Sequence, residues 1–201
     1  MKVPFGYLKR EAIAQRGSRR GLWKDIRRLV RTGDFTLGEP LQSFERAFAK
    51  VTGYKHAIGV NSGTDALAIS LMCIGNYGGV ITVPNTFYAT VGAIYQSQGY
   101  PIFCDVGPDY LMDWSKRSNV VRSFHHSPVI PVAWAGHSLA NWHPPEVSEK
   151  EGHKLILDNA QAIGTPKPAF AHIAACYSLH PLKNVHVWGD GGVIVTDHDQ
   201  I

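Results

Sequence analysis

No stretch of the 201 residues approaches the roughly 20 consecutive apolar positions that a membrane-spanning helix needs, so no membrane association is expected. Cysteine is scarce and odd in number. Cys73, Cys104 and Cys176 each sit inside an apolar run, which argues against a disulfide framework and for reduced core thiols. No HxxxH or CxxC spacing occurs, so the loop histidines His125, His126, His137, His143 and His153 are not read as a metal site. Repeats and low-complexity tracts are missing, and the 20 Gly and 12 Pro are scattered, which excludes collagen-like, solenoid and disordered chains. The opening MKVPFGYLKR carries charge where a secretion signal needs an apolar core, so a cytoplasmic protein is expected.

What is present is a chain 44% hydrophobic and 18% charged, enough to bury one full core. Its net charge of +4 is unevenly spread, since Lys and Arg crowd residues 1–31 and acids prevail afterwards. Arg16, Arg19, Arg20, Lys24, Arg27, Arg28 and Arg31 flank Leu22, Trp23, Ile26, Leu29 and Val30. That pattern reads as the wet side of an amphipathic helix rather than a nucleic-acid surface. After Gly33, a turn-like segment leads to a second helix with Leu41, Phe44, Phe48 and Val51 on one face, ending at Gly53.

Beyond Gly53 the pattern changes to short β-branched runs: 56–60, 80–83, 101–104, 129–132, 155–157, 174–177 and 193–195. Helix-compatible stretches separate most of them, the clearest being 64–74 and 86–96. Continuous rather than alternating apolar runs suit strands covered on both faces, hence an α/β fold with a largely parallel sheet. Residues 107–127 and 137–153 have no clear period, and Pro144-Pro145 interrupts any helix there.

Three constellations carry chemistry. A strand ending at Val60 runs through Asn61-Ser62-Gly63-Thr64-Asp65 into an apolar helix. Its unpaired first-turn amides and its hydroxyls suit a phosphate, and Ser62 or Asn61 serving as an ordinary N-cap fits as well. Asp158 closes a buried run, where ligands of open α/β sheets bind. A buried carboxylate is costly unless a cation meets it, such as a protonated ring nitrogen, and N-capping is the alternative. Lys183 follows a strand, between Pro181 and the turn Gly189-Asp-Gly-Gly192. A loop lysine is usually solvated, but in a low-dielectric cleft its amine deprotonates readily and becomes a Schiff-base nucleophile.

Four motifs now stand in order: Asn61 to Leu67, Val83 to Thr90, Asp158 to Ala162, and Ser178 to Asn184 with Gly189 to Gly192. Their order and spacing resemble the DegT/DnrJ/EryC1/StrS aminotransferases, fold-type I pyridoxal-phosphate enzymes that aminate keto sugars, usually attached to nucleotides. Val3-Pro-Phe5 and Leu37-Gly38 resemble the family's amino terminus. The resemblance implies a three-layer α/β large domain over residues 34–201, preceded by a helical segment at 1–33. Its mostly parallel seven-stranded sheet would have helices on both faces and the last strand, 193–195, reversed.

Residue by residue, the resemblance makes Lys183 the cofactor-linking lysine and Asp158 the partner of the pyridine nitrogen. Gln161 would lie near the phenolic oxygen and Phe87 would stack on the ring. Ser62, Gly63, Thr64 and Ser178 would hold the phosphate. Glutamate is the implied amino donor, a keto sugar the acceptor, and a homodimer the implied assembly of the complete protein. The alternatives are a sugar dehydratase, disfavoured because some such relatives carry His in place of the lysine, and a non-catalytic or truncated relic that binds the cofactor. Departures from the family pattern include a shorter stretch at 164–175 and Ala133-Trp134 where a His is common. Family members run to about twice this length, so a missing C-terminal small domain is expected, leaving Leu22, Trp23, Phe44 and Phe48 exposed and the chain unable to sustain turnover alone.

Overall fold

The computed structural model describes residues 19–75, 78–116, 123–124, 126–142 and 154–201. His125, His143, His153, Arg16, the Val3-Pro-Phe5 opening and Pro144-Pro145 lie outside these residues. Helix α1 (Arg19–Thr32) ends at Gly33, whose positive φ of 69° lets its N–H close on the Leu29 carbonyl at 2.9 Å. Leu22, Trp23 and Val30 on this helix are exposed. Helix α2 (Glu39–Thr52) starts with Pro40 in its first turn and stops at left-handed Gly53.

The apolar face of α2 differs from the expected one at its last position. Val51 is 72% exposed, while Thr52 is buried and donates its hydroxyl to the Phe48 carbonyl at 2.8 Å. A stripe following 3.6 residues per turn runs through 41, 44/45, 48/49 and 52, which leaves 51 outside it. Phe48 is buried with its ring 5.4 Å from that of Tyr177, and Phe44 packs partly buried beside it, so the expected exposure of these two phenylalanines is not found.

Six strands form: β1 (His56–Val60), β2 (Gly79–Thr82), β3 (Tyr100–Phe103), β4 (Ile156–Asp158), β5 (Ala174–Ser178) and β6 (Gly192–Thr196). They make a four-stranded sheet ordered β1-β6-β5-β4 and a two-stranded sheet β2-β3. The seventh expected strand, 129–132, joins the two through single parallel bridges, Val129 to Ile81 and Leu155, and Val132 to Asp158. It is not a regular strand. Val129 and Ala133 donate to Lys154 and Asp158, but Pro131, midway between them, has no N–H to continue that ladder. As expected, β6 runs antiparallel to both its neighbours, while the other pairings are parallel. The α/β architecture with a reversed last strand is therefore the one the resemblance implied, with a mixed four-stranded sheet and a parallel pair in place of one seven-stranded sheet.

Helices α3 (Gly63–Cys73) and α4 (Tyr88–Gln96) cover one face, with Leu67, Leu71, Ala93 and Ile94 against Ile156, Ala174, Cys176 and Ile194. The opposite face is covered by α2 and by loop and short 3-10 segments that bring in Leu111, Met112, Trp114, Leu139 and Trp142. The Trp142 indole donates to the Met112 carbonyl at 2.7 Å and locks two of these segments together. Two details differ from expectation. Helix α4 begins at Tyr88 rather than at residue 86, and Cys73, the last residue of α3, is exposed rather than in the core. Cys104 and Cys176 are buried.

Candidate active site

The strand ends on one side of the sheet create the site. At the β1–α3 junction Ser62 is the N-cap, accepting from the Asp65 N–H at 3.0 Å. Capping and anion binding are thus compatible here, since the cap leaves the first-turn amides of Gly63 and Thr64 over. Glycine at 63 is a packing requirement. A Cβ there would lie 2.7 Å from the Ser178 Cβ, so only a bare backbone lets Ser178, at the end of β5, reach the helix terminus.

Asp158 ends β4 and is 5% exposed. Its Oδ2 accepts from the Thr90 hydroxyl at 2.7 Å and its Oδ1 from the Ala160 N–H at 3.1 Å. Burial pushes its carboxyl above the usual carboxylate range, against the opposing pull of Thr90, Ala160 and the Lys183 charge. Lys183 lies in the chain between β5 and β6 and is half-buried. Burial pulls its ammonium below the usual lysine range, with Asp158 acting in the opposite direction. The Lys183 Nζ stands 5.8 Å from the centroid of the Phe87 ring. Phe87 immediately precedes α4, is 56% exposed and leans on Tyr88. Gln161 accepts the Ala135 N–H through Oε1 at 2.9 Å, which leaves its amide N–H groups as the donor face.

Ser62, Gly63, Thr64, Phe87, Asp158, Gln161, Ser178 and Lys183 all line one cleft of about 400 Å³. The structure thus gathers every residue singled out in the sequence. It adds Thr86, Tyr88, Thr90, Trp134, His180 and Asp190 to the wall. Thr86, Tyr88 and Thr90 belong to the Val83–Thr90 motif, but nothing in a lone hydroxyl tells which distant group it meets.

The chain as a whole is similar to known proteins. The DegT/DnrJ/EryC1/StrS aminotransferase family profile matches residues 19–201. The chain belongs to this family. One relative, dTDP-3-amino-3,4,6-trideoxy-alpha-D-glucose transaminase of Micromonospora megalomicea subsp. nigra, is 32% identical over 87% of this chain and 48% of its own length. Another family-related protein, the 3-oxo-glucose-6-phosphate:glutamate aminotransferase of Bacillus subtilis (strain 168), is 30% identical over 100% of this chain and 45% of its own. Among solved structures, NtdA of Bacillus subtilis with bound cofactor PMP superposes with a TM-score of 0.88 at 29% identity, covering 99% of this chain and 46% of that one. The chain spans about half the length of the curated relatives it matches.

Proposed function

We propose that this chain is the cofactor-binding part of a pyridoxal-phosphate-dependent aminotransferase that moves an amino group from glutamate to a keto sugar, probed best as its nucleotide-linked form. One observation carries the reading: Asp158, Lys183 and the Ser62–Thr64 turn share a single cleft. The residues fit the cofactor. A glycine that tolerates no Cβ brings a serine to a helix N-terminus, as a phosphate requires, and a buried carboxylate awaits a cation. Pyridoxal phosphate, when bound, supplies an electron-withdrawing ring that absorbs the electron pair left by removing a proton next to the amino group.

The chain's own residues do the rest. Backbone amides of Gly63 and Thr64, with the hydroxyls of Ser62, Thr64 and Ser178, bind the phosphate. Asp158 holds a proton on the pyridine nitrogen and so keeps the ring electron-poor. Gln161 would donate to the phenolic oxygen, and Phe87 would cover the ring and keep water from it. Lys183 uses its Nζ twice. Deprotonated more easily than a free lysine, it would hold the cofactor covalently through its carbonyl carbon with loss of water, and as a free amine it would carry a proton between substrate and cofactor.

In this reading residues 34–201 form the large domain and 1–33 a separate helical segment. The complete protein works in the cytoplasm as a homodimer in amino-sugar or surface-polysaccharide biosynthesis. Among the described residues no helix is long and apolar enough to cross a membrane. The test loads the chain with pyridoxal phosphate, adds glutamate, and follows bleaching of the cofactor's visible band together with 2-oxoglutarate release. A panel of nucleotide-linked keto sugars is then offered to the product form. Stoichiometric 2-oxoglutarate release supports the reading, and a cofactor-loaded protein inert toward glutamate and other amino acids overturns it.

A further inference from the structure

The cleft wall contains two hydroxyls that the reaction as derived leaves without a task. Thr90, on α4, is completely buried, and its Oγ1 lies 2.7 Å from Asp158 Oδ2. Thr86 lies one turn earlier with its Oγ1 2.7 Å from that of Thr90. A carboxylate only accepts, so the single proton of the Thr90 hydroxyl is committed to Asp158. The Thr86 hydroxyl must then donate to Thr90. The chain of donors has one direction, Thr86 to Thr90 to Asp158.

We propose that Thr90, backed by Thr86, is a positioning residue that fixes the Asp158 carboxylate as an anion facing the pyridine nitrogen of the cofactor. The proposal rests on the reading of Asp158 given above. A hydroxyl suits the task because it donates a hydrogen bond without adding charge. A lysine or arginine in its place would neutralise the carboxylate and compete with the ring. Thr86 strengthens the bond by polarising the Thr90 hydroxyl. The other groups facing Asp158 do not duplicate this role. The Ala160 N–H holds Oδ1, the second oxygen. Lys183, from the β5–β6 connection, is the charged neighbour, and in the reading above its Nζ would be engaged by the cofactor. Cys176, on β5, has its thiol pushed up to about 12 by burial and stays neutral. Without Thr90, only the Ala160 N–H and the Lys183 charge would oppose burial, and the carboxyl would take up a proton at higher pH.

The test compares Thr90→Val, Thr90→Ala, Thr90→Ser and Thr86→Val, with Asp158→Asn as reference, each titrated with pyridoxal phosphate. Two readouts besides turnover are taken: the cofactor dissociation constant, and the pH midpoint of the bound cofactor's visible band. Thr90→Val and Thr90→Ala are expected to weaken cofactor binding by roughly tenfold, as for one charge-assisted hydrogen bond, and to move the midpoint upward. Thr90→Ser restores both, and Thr86→Val shifts both the same way by less. Serine and alanine lack the same methyl groups, so their difference isolates the hydroxyl from packing. Asp158→Asn behaving as wild type overturns the role of Asp158 itself. An impaired Asp158→Asn with Thr90→Val and Thr90→Ala like wild type overturns the positioning role alone, as does failure of both hydroxyl-free variants to fold while Thr90→Ser folds, which would make the hydroxyl a requirement of the fold.

Discussion

Asp158 and Asp197 stand at opposite ends of the same sheet and are treated in opposite ways. Asp158 closes β4, paired with Cys176 near the end of β5, whereas Asp197 follows the end of β6, near the start of β1. Around Asp197 the chain provides full compensation. Burial raises its carboxyl, but the Lys167 ammonium and the Lys55 N–H outweigh that and leave it below the usual carboxylate range. Lys167 also lies over the Tyr54 ring, and the Tyr54 hydroxyl meets His172 Nε2 at 2.6 Å, so the cluster is closed on itself. Asp158 receives only a hydroxyl, one amide and a partly compensating lysine, and it remains above the usual range. A carboxylate left short of positive charge in a cleft is ready for a cationic ligand, while one already paired only supports the fold.

The comparison breaks most directly at Lys183. Lys183→Ala is expected to abolish the visible band of the reconstituted protein and any borohydride-reducible label, and the band surviving through another lysine would refute the assignment. Asp158→Asn comes next. With glutamate, the mutant should lose at least about 100-fold in the rate of band bleaching, the scale of one lost electrostatic contact at a reacting centre. Its stability should change with the opposite sign. Because the folded carboxyl titrates above its unfolded value, it stabilises the cofactor-free protein at low pH, and that contribution is lost as pH rises through the raised value. At pH 8 the cofactor-free Asp158→Asn protein should therefore melt no lower than wild type, and pyridoxal phosphate should raise its Tm less. A clear drop in the cofactor-free Tm would show that Asp158 is structural, like Asp197.

Thr64→Ala probes the phosphate turn. Backbone amides do most of the holding there, so cofactor binding should weaken by about 1–2 kcal/mol, read by titration. A wild-type dissociation constant would move the phosphate elsewhere. The smallest effect belongs to the far cluster. Asp197→Asn should cost about 0.5–1 kcal/mol in urea unfolding at pH 7 and leave cofactor affinity untouched, as for a half-exposed ion pair. Here the folded carboxyl titrates below its unfolded value, so the stabilisation is present above the ordinary carboxylate range and vanishes as pH falls through the lowered value. A stability difference that persists at the lowest pH before acid unfolding would contradict this account.

Much of this was legible in the sequence because the informative signals were local. Gly33, Gly53 and Pro40 mark helix ends through backbone geometry alone, and the residues 61–65 advertise a strand-turn-helix junction without any distant partner. The eight cleft residues sit in four short motifs whose order a resemblance can match. What was not legible depends on contacts far along the chain. Thr90 gains its meaning from a group 68 positions away, and a threonine in a helix has no pattern that points there. Residues 129–132 look like any strand, yet Pro131 removes one rung from the ladder. Loop prolines and missing periodicity hid that the segments around Leu111 and Leu139 would pack, beside α2, on one face of the sheet. Val51 and Cys73 failed for a simpler reason, since hydrophobicity at the edge of a stripe or the end of a helix does not decide burial.

The contact between Gly63 and Ser178 has a kinetic consequence. The two arms of the phosphate grip come from distant parts of the chain, in a sheet where β6 lies between β1 and β5, so their meeting is a contact of high sequence separation that is expected to form late. A grip assembled that late is absent from an early, partly formed nucleus, so a cofactor held there has little to offer a folding chain. It acts afterwards as a clasp across the finished topology, lengthening the lifetime of the native state by slowing unfolding.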